Sequence, residues 1–196
     1  MLKAIKQNNL KEKFKNAVQG TDYDFDKINI LIIEDSKTEK ELLKNTLGNY
    51  LGFKNITEAS NGLEGWEITQ KIKPQLVLLD INMPVMNGFT YCRKVRDDSN
   101  YDDVIIIVTT GLVDLDDKAR IFQAGADDYL TKPIDLNEIS SRMLIHVRNA
   151  VNVKKLTNFS ERVTNELIVA RNIIESSLPD EELIQLLYDN YNIDMA

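Results

Sequence analysis

Residues 75–88, QLVLLDINMPVMNG, decide how the rest of the chain is read. Four apolar residues, Leu76 to Leu79, stop abruptly at a carboxylate, Asp80. An apolar run this short, bounded by Pro74 and by the Met83-Pro84 turn, predicts a fully buried strand rather than a segment of helix. Open α/β sheets gather their ligands beyond the carboxyl ends of the strands, which is where Asp80 falls. An aspartate there also caps the following turn in many proteins, so its meaning depends on what joins it.

Working outward, the chain alternates strand and helix five times. Residues 28–33 predict a buried strand ending at Glu34-Asp35. Ser36 reads as an N-cap with Glu39 completing a capping box, and Leu42, Leu43 and Leu47 carry that helix onward. The more polar stretch 54–59 suits an edge strand. A helix over 61–73, with Trp66 facing the core, stops at Pro74. Beyond Asp80 come a helix over 87–97 and an unbroken apolar strand at 104–108 that reaches Thr109-Thr110-Gly111. A helix over 112–124 is closed by Gly125, a short strand at 128–131 meets Lys132-Pro133, and Leu136 opens a fifth helix. Continuous apolar strands separated by helices imply a parallel sheet covered on both faces, and right-handed crossovers make it doubly wound. The expected fold is α/β, a flavodoxin-like five-stranded parallel sheet of order 2-1-3-4-5 over residues 28–150, with helical extensions at both ends.

Composition narrows the function. Of 196 residues, 43% are apolar, enough for a proper core, and 24 basic against 31 acidic side chains give a net charge of −7. That balance argues against a nucleic-acid surface over the chain as a whole. The single Cys92 cannot form an internal disulfide, which fits a reducing compartment, and the single His146 excludes a His-rich metal site. No apolar run approaches the ~18 residues of a membrane span, and Lys3 and Lys6 are not followed by the apolar stretch of a secretory signal. The expectation is a soluble cytoplasmic protein. Residues 1–15 hold five lysines against one glutamate, with Leu2, Ile5, Leu10, Phe14 and Val18 at helical spacing. They predict a basic amphipathic arm over 1–27, which either packs one face on the domain or docks an anionic partner.

The strand ends are best taken together. Glu34 and Asp35 follow the first strand, Asp80 the third, Thr109 the fourth and Lys132 the fifth, and in a doubly wound sheet these ends converge on one crevice. Unit charges ~4 Å apart repel by several kcal/mol at an effective dielectric near 20, so three carboxylates there want a divalent cation. Oxygen-only ligands point to Mg²⁺. Lys132 can pair with a phosphoryl oxygen or with Asp80 itself, and Thr109 offers a hydroxyl. A carboxylate nucleophile, a metal and a lysine are the parts needed to place a phosphoryl group on an aspartate.

The series Glu34-Asp35, Asp80 with Met83-Pro84 and Gly88, Thr109, Tyr129 and Lys132-Pro133 resembles the receiver domain of bacterial two-component response regulators. The resemblance implies that Asp80 accepts the phosphoryl group from a sensor histidine kinase or phosphotransfer protein. It further implies that Glu34, Asp35, Asp80 and the backbone carbonyl of Asn82 hold Mg²⁺. Thr109 and Lys132 would contact the phosphoryl oxygens, and Thr109 and Tyr129 would act as the switch. The signal would leave through the fourth helix, fifth strand and fifth helix. Thr110, where these domains more often carry alanine, and Gly65-Trp66, where Ala-Leu is common, depart from the pattern. A flavin carrier is disfavoured because Glu34-Asp35-Ser36 would repel a flavin phosphate. Aspartyl-phosphate hydrolases are disfavoured because they place their nucleophile after the first strand. The remaining alternative is a pseudo-receiver that acts as an interaction module without phosphorylation, and no turnover beyond self-phosphorylation and autodephosphorylation is expected.

Past residue 150 no Gly or Pro interrupts the chain before Pro179. Leu136, Ile139, Met143, His146, Ala150 and Val153 form one row, and Val153, Leu156, Ser160, Val163, Leu167, Ala170 and Ile174 a second. A continuous helix over 136–178 would be ~64 Å long, too long for one domain to cover. A parallel coiled coil over 151–178 that makes the chain a homodimer is the first expectation. A hairpin folded back on the domain is the alternative, because Ser160 and Ala170 weaken the seam. Two successive steps of three, 150 to 153 to 156, form a stammer near Val153. Residues 166–179, ELIVARNIIESSLP, are similar to the helix that precedes PPM-type serine phosphatase domains in some response regulators. The chain is then either a piece of a longer regulator or carries its output in its own helices. Residues 179–196, with Leu183, Leu186 and Leu187, predict one short amphipathic helix and a tail.

Overall fold

A computed structural model describes residues 12, 16, 25–111 and 114–177. Its strands are β1 (Asn29–Ile33), β2 (Asn55–Ala59), β3 (Leu76–Asp80), β4 (Ile105–Thr110) and β5 (Asp128–Thr131). All pair in parallel, in the order β2-β1-β3-β4-β5. The helices are α1 (Lys37–Asn45), α2 (Gly62–Ile72), α3 (Gly88–Arg96), α4 (Leu115–Gln123) and α5 (Leu136–Ser177). Strands covered on both faces cannot alternate in polarity, which is why β1, β3 and β4 are apolar runs while the edge strand NITEA buries only Ala59.

Alternate residues of each strand supply the two faces. Ile30, Ile32, Leu76, Leu78, Ile107 and Leu130 pack with Leu43 and Leu47 of the α1 side and with Ile139, Met143, Val147 and Val151 of α5. Leu31, Ile33, Val77, Leu79, Ile106 and Val108 pack with Tyr91, Cys92 and Val95 of α3 and Ile121 of α4. Each buried leucine or isoleucine contributes roughly 1.5–3 kcal/mol relative to exposure, so the central strands are the hardest part of the molecule to move.

Side-chain caps start the helices where a polar residue precedes the apolar pattern. Asn61 Oδ1 accepts from the N–H groups of Leu63 and Glu64, Asn87 Oδ1 from Thr90, and Asp135 Oδ1 from Asn137 and Glu138. Two expectations need correction. The helix expected from residue 112 starts at Leu115 because Asp114 caps it, and residues 112–113 lie outside the described set. The capping box at Ser36 forms only its first half: Ser36 Oγ accepts from Glu39 N, but Ser36 N–H donates to Glu34 Oε1 at 3.1 Å. A buried carboxylate two residues upstream outcompetes the Glu39 side chain for that donor. α1 then continues as a π-helical turn, Thr46–Leu51, which buries Leu47 and Leu51 while Leu42 is exposed.

The described chain divides into two units at Asn152 and Val153. In the first, the buried row of α5 is Ile139, Met143, Val147 and Val151, in steps of four, rather than the expected row through His146 and Ala150. A helix lying on a sheet buries a face wider than a coiled-coil seam, and His146 is turned instead toward β5. In the second, Leu156, Phe159, Val163, Leu167, Val169 and Ile173 are all exposed. Helix α5 runs over Leu136–Ser177. The arm expected at 1–27 lies outside the described residues except for Glu12 and Asn16, both helical, and the 3₁₀ turn Phe25–Lys27. The helix expected within 179–196 also lies outside them. Among the described residues no helix is long and apolar enough to cross a membrane.

Between β3 and α3 the chain makes a tight turn in which Met86 N–H donates to Pro84 O at 2.8 Å and Val85 takes φ 68°. A β-branched residue in that region is strained by roughly 1–3 kcal/mol, and Val85 is 79% exposed, so packing recovers little of it. Glycine adopts the same φ freely at an entropic cost of about 0.5–1 kcal/mol. Val85→Gly is therefore expected to stabilise the fold by about 1 kcal/mol, read as a thermal midpoint about 2–4 °C higher. A lower midpoint would show that Val85 makes a stabilising contact.

Candidate functional site

Hydrogen-bonded ladders carry the site residues to one end of the sheet. Asp80 pairs with Thr109 in register across β3 and β4, and Thr110 with Thr131 across β4 and β5. One residue past the ladders, Glu34 N–H donates to Ala59 O at 3.1 Å and Lys132 N–H to Thr110 O at 2.8 Å. The backbones of Glu34, Asp80, Thr109 and Lys132 are thus each tied to a neighbouring strand.

Carboxylate oxygens of Glu34, Asp35 and Asp80 lie within 4.8 Å of one another. Glu34 is 1% exposed and Asp80 6%, whereas Asp35 faces solvent. At that spacing each pair of charges repels by about 3 kcal/mol at an effective dielectric near 20. Burial raises the Glu34 pKa, and the Asp80 charge raises it further, against the opposing pull of Lys132 and of the Ser36 N–H. Lys132 stands on the opposite wall. Its Nζ is 2.7 Å from Asp80 Oδ1 and 2.9 Å from Glu34 Oε2, and it also contacts Glu39 Oε2. Burial by itself would lower the lysine pKa, but the hydrogen bonds to Asp80, Glu39 and Glu34 hold it well above its ordinary value.

The second Asp80 oxygen, Oδ2, accepts from Asn82 N–H at 2.8 Å, which aims the carboxylate. Gly88 permits the loop to close there: its N–H donates to Ile81 O at 3.0 Å, and a Cβ at Gly88 would stand 2.5 Å from the Asp80 carbonyl oxygen. Thr109 Oγ1 is buried beside this group without a hydrogen-bond partner. A buried hydroxyl is seldom left so, and this one has a donor available at the end of β4. The donor set is all oxygen, with one buried and one exposed acid flanking Asp80, and it fits a hard divalent cation that keeps waters on its open side.

Of the residues selected from sequence, Glu34, Asp35, Asp80, Thr109 and Lys132 are brought together. Tyr129 stands apart from the carboxylates on the α4–β5–α5 face. Its ring meets Phe122 edge-on at 5.9 Å, with Lys118 Nζ 5.3 Å and Arg142 Cζ 5.7 Å from its centroid. The neighbouring Asp128 accepts from Arg142 Nη1 at 2.7 Å and pairs with His146 Nε2 at 3.0 Å, which fastens β5 to α5. Two participants escaped the sequence reading. Glu39 was assigned to a cap, and Arg142 was not singled out. The only signal for Glu39 is its place one helical turn beyond Asp35.

The family model of the response regulator receiver domain matches residues 30–144. The chain is 33% identical over 132 residues to the DNA-binding dual master transcriptional regulator RpaA of Synechocystis sp., covering 67% of this chain and 54% of RpaA. It therefore spans about half the length of that relative. To chemotaxis protein CheY1 of Helicobacter pylori it is 34% identical over 105 residues, 53% of this chain and 84% of CheY1. The signal receiver domain of a signal transduction histidine kinase from Syntrophus aciditrophicus has a TM-score of 0.55 at 32% identity, over 63% of this chain and 89% of the other.

The Asp128 cluster has a pH signature. Burial acts to raise the Asp128 pKa, but the hydrogen bonds from His146, Arg142 and Tyr129 N–H outweigh it and leave the pKa below the usual value. A depressed folded pKa means that the stabilisation is present above the ordinary carboxylate value of about 3.9 and is lost as pH falls through the lower folded one. Asp128→Asn is expected to cost about 1 kcal/mol at pH 5.5. Urea denaturation across a pH series should show this gap closing as pH falls below the ordinary carboxylate range. A gap independent of pH would assign the cost to packing instead.

Proposed function

This chain belongs to the response regulator receiver domain family, and from that premise we propose that it is a two-component phosphoryl acceptor with Asp80 as the accepting residue. The observation that carries the proposal is the pair of groups flanking Asp80: the Lys132 ammonium at 2.7 Å, and the buried, unpartnered hydroxyl of Thr109 at the adjoining strand end. An oxygen of Asp80 attacks phosphorus, an O–P bond forms as the N–P bond of a donor phosphohistidine breaks, and the imidazole departs. The donor is a sensor histidine kinase or phosphotransfer protein, and the setting is cytoplasmic. Glu34, Asp35, Asp80 and the Asn82 carbonyl would hold Mg²⁺, which supplies charge neutralisation between the carboxylates and the phosphoryl oxygens. The residues of the chain do the rest. Asn82 N–H orients the acceptor, Lys132 moves its ammonium toward a phosphoryl oxygen, and Thr109 donates its hydroxyl to another. Movement of the Thr109 side chain toward the phosphoryl group biases the Tyr129 ring, whose cationic neighbours lie on α4 and α5.

The reading makes a plain demand on mass. Full-length protein treated with acetyl phosphate and Mg²⁺ should gain one phosphoryl group, and Asp80→Asn should gain none. Uptake by the Asp80→Asn protein would place the acceptor elsewhere.

Residues 153–177 make a second contribution to this function. Leu156, Ser160, Val163 and Leu167 recur in steps of four, three and four among exposed side chains, a pattern that needs a partner helix. The partner is a second copy, and the helix passes the state of the receiver to an output, as in regulators where such a helix precedes a phosphatase domain. Sedimentation of the full chain should show a dimer, and Leu156→Glu with Leu167→Glu should give a monomer. A wild-type monomer, with and without beryllofluoride, would remove the coiled coil.

A further inference from the structure

We propose that Glu39 is a positioning residue of the phosphoryl site, a carboxylate that occupies Lys132 in the resting protein and must release it when a phosphoryl group arrives. The inference rests on Asp80 being the acceptor. An ammonium has three donors, and Lys132 meets three carboxylates: Asp80 at 2.7 Å, Glu34 at 2.9 Å and Glu39 in direct contact. Lys132 is thus in ion-pair contact with three carboxylates, and a phosphoryl oxygen has to compete with them for it.

The three differ in what displacement does to them. Glu34 is 1% exposed, and stripping its partner would leave a buried charge uncompensated. Asp80 becomes part of the acyl phosphate and ceases to be a carboxylate. The Glu39 side chain is 43% exposed and sits in the first turn of α1, so rotation returns its charge to water at small cost. Glu39 is therefore the partner that leaves. Until it does, it screens Lys132 from the phosphoryl group and repels the charge of about −1.5 to −2 that the group carries. The local helix does not depend on this carboxylate, because the cap uses the Glu39 backbone N–H and the reciprocal half of the capping box is absent.

The test compares wild type, Glu39→Gln and Glu39→Asp as full-length chains. It follows phosphoryl uptake from acetyl phosphate at saturating Mg²⁺ by intact mass, with Mg²⁺ affinity and beryllofluoride affinity measured separately by calorimetry. Half-exposed ion pairs contribute little each, so Glu39→Gln is expected to speed uptake and tighten beryllofluoride by about three- to fivefold. Mg²⁺ affinity should stay within about twofold, and the difference from wild type should shrink in high salt. Glu39→Asp, which keeps the charge but shortens the reach to Lys132, should fall between the two. Equal uptake by wild type and Glu39→Gln, or a change in Mg²⁺ affinity as large as that in beryllofluoride affinity, overturns the role of Glu39 and leaves Asp80 as acceptor. No uptake by any of the three rejects the acceptor reading and this inference with it.

Discussion

The contact between Lys132 and the carboxylates of Asp80, Glu34 and Glu39 is the constraint from which the rest of the site takes its shape. Acidic side chains gathered from β1, α1 and β3 would push one another apart in the low-dielectric end of the sheet. A single ammonium delivered from the end of β5 holds them in place. Delivering it requires β5 to sit two strands from β3 at a fixed height, and the β3–β4 and β4–β5 registers do that. On the proposed function, the ion pairs that stabilise the site are those a phosphoryl group would have to rearrange. Stability and responsiveness are therefore set by the same contacts.

Beneath the crevice the sheet is rigid and above it the loops are not uniform. Leu76 to Leu79 are buried on both faces, and no single strand end can shift far without disturbing two apolar clusters. Movement must be taken up by side chains and by the connections. The β3–α3 connection is held by Gly88 packed on the Asp80 backbone and by the positive φ of Val85. Lys132 has a different option, since one of its three partners is half-exposed.

α5 carries two kinds of surface along its own length. Ile139, Met143, Val147 and Val151 are buried against the sheet, while Arg142 and His146 reach Asp128 on β5. The Asp128 pairs join the strand that bears Tyr129, and that leads directly into Lys132, to this helix. Leu156, Phe159, Val163, Leu167, Val169 and Ile173 present apolar side chains that are exposed among the described residues.

By itself the sequence determined what depends on local pattern. The apolar runs of β1, β3 and β4, the polar edge strand and the Asn and Asp caps follow from periodicity and from side chains that bond neighbouring backbone. The gathering of Glu34, Asp35, Asp80, Thr109 and Lys132 followed because parallel strands place their carboxyl ends on one side. Tertiary structure alone decided which donor met which acceptor. Glu39 matched a capping box, but Glu34 captured the Ser36 N–H and Lys132 captured Glu39. The buried row of α5 kept to Val147 and Val151 rather than His146, because the width of the sheet face set the contact and Asp128 drew the histidine aside. Lys132 and Glu34, 98 positions apart, become partners only when five strands are assembled. Short-range preferences are written into neighbouring residues, whereas a long-range ion pair depends on distances that exist only once the sheet has formed.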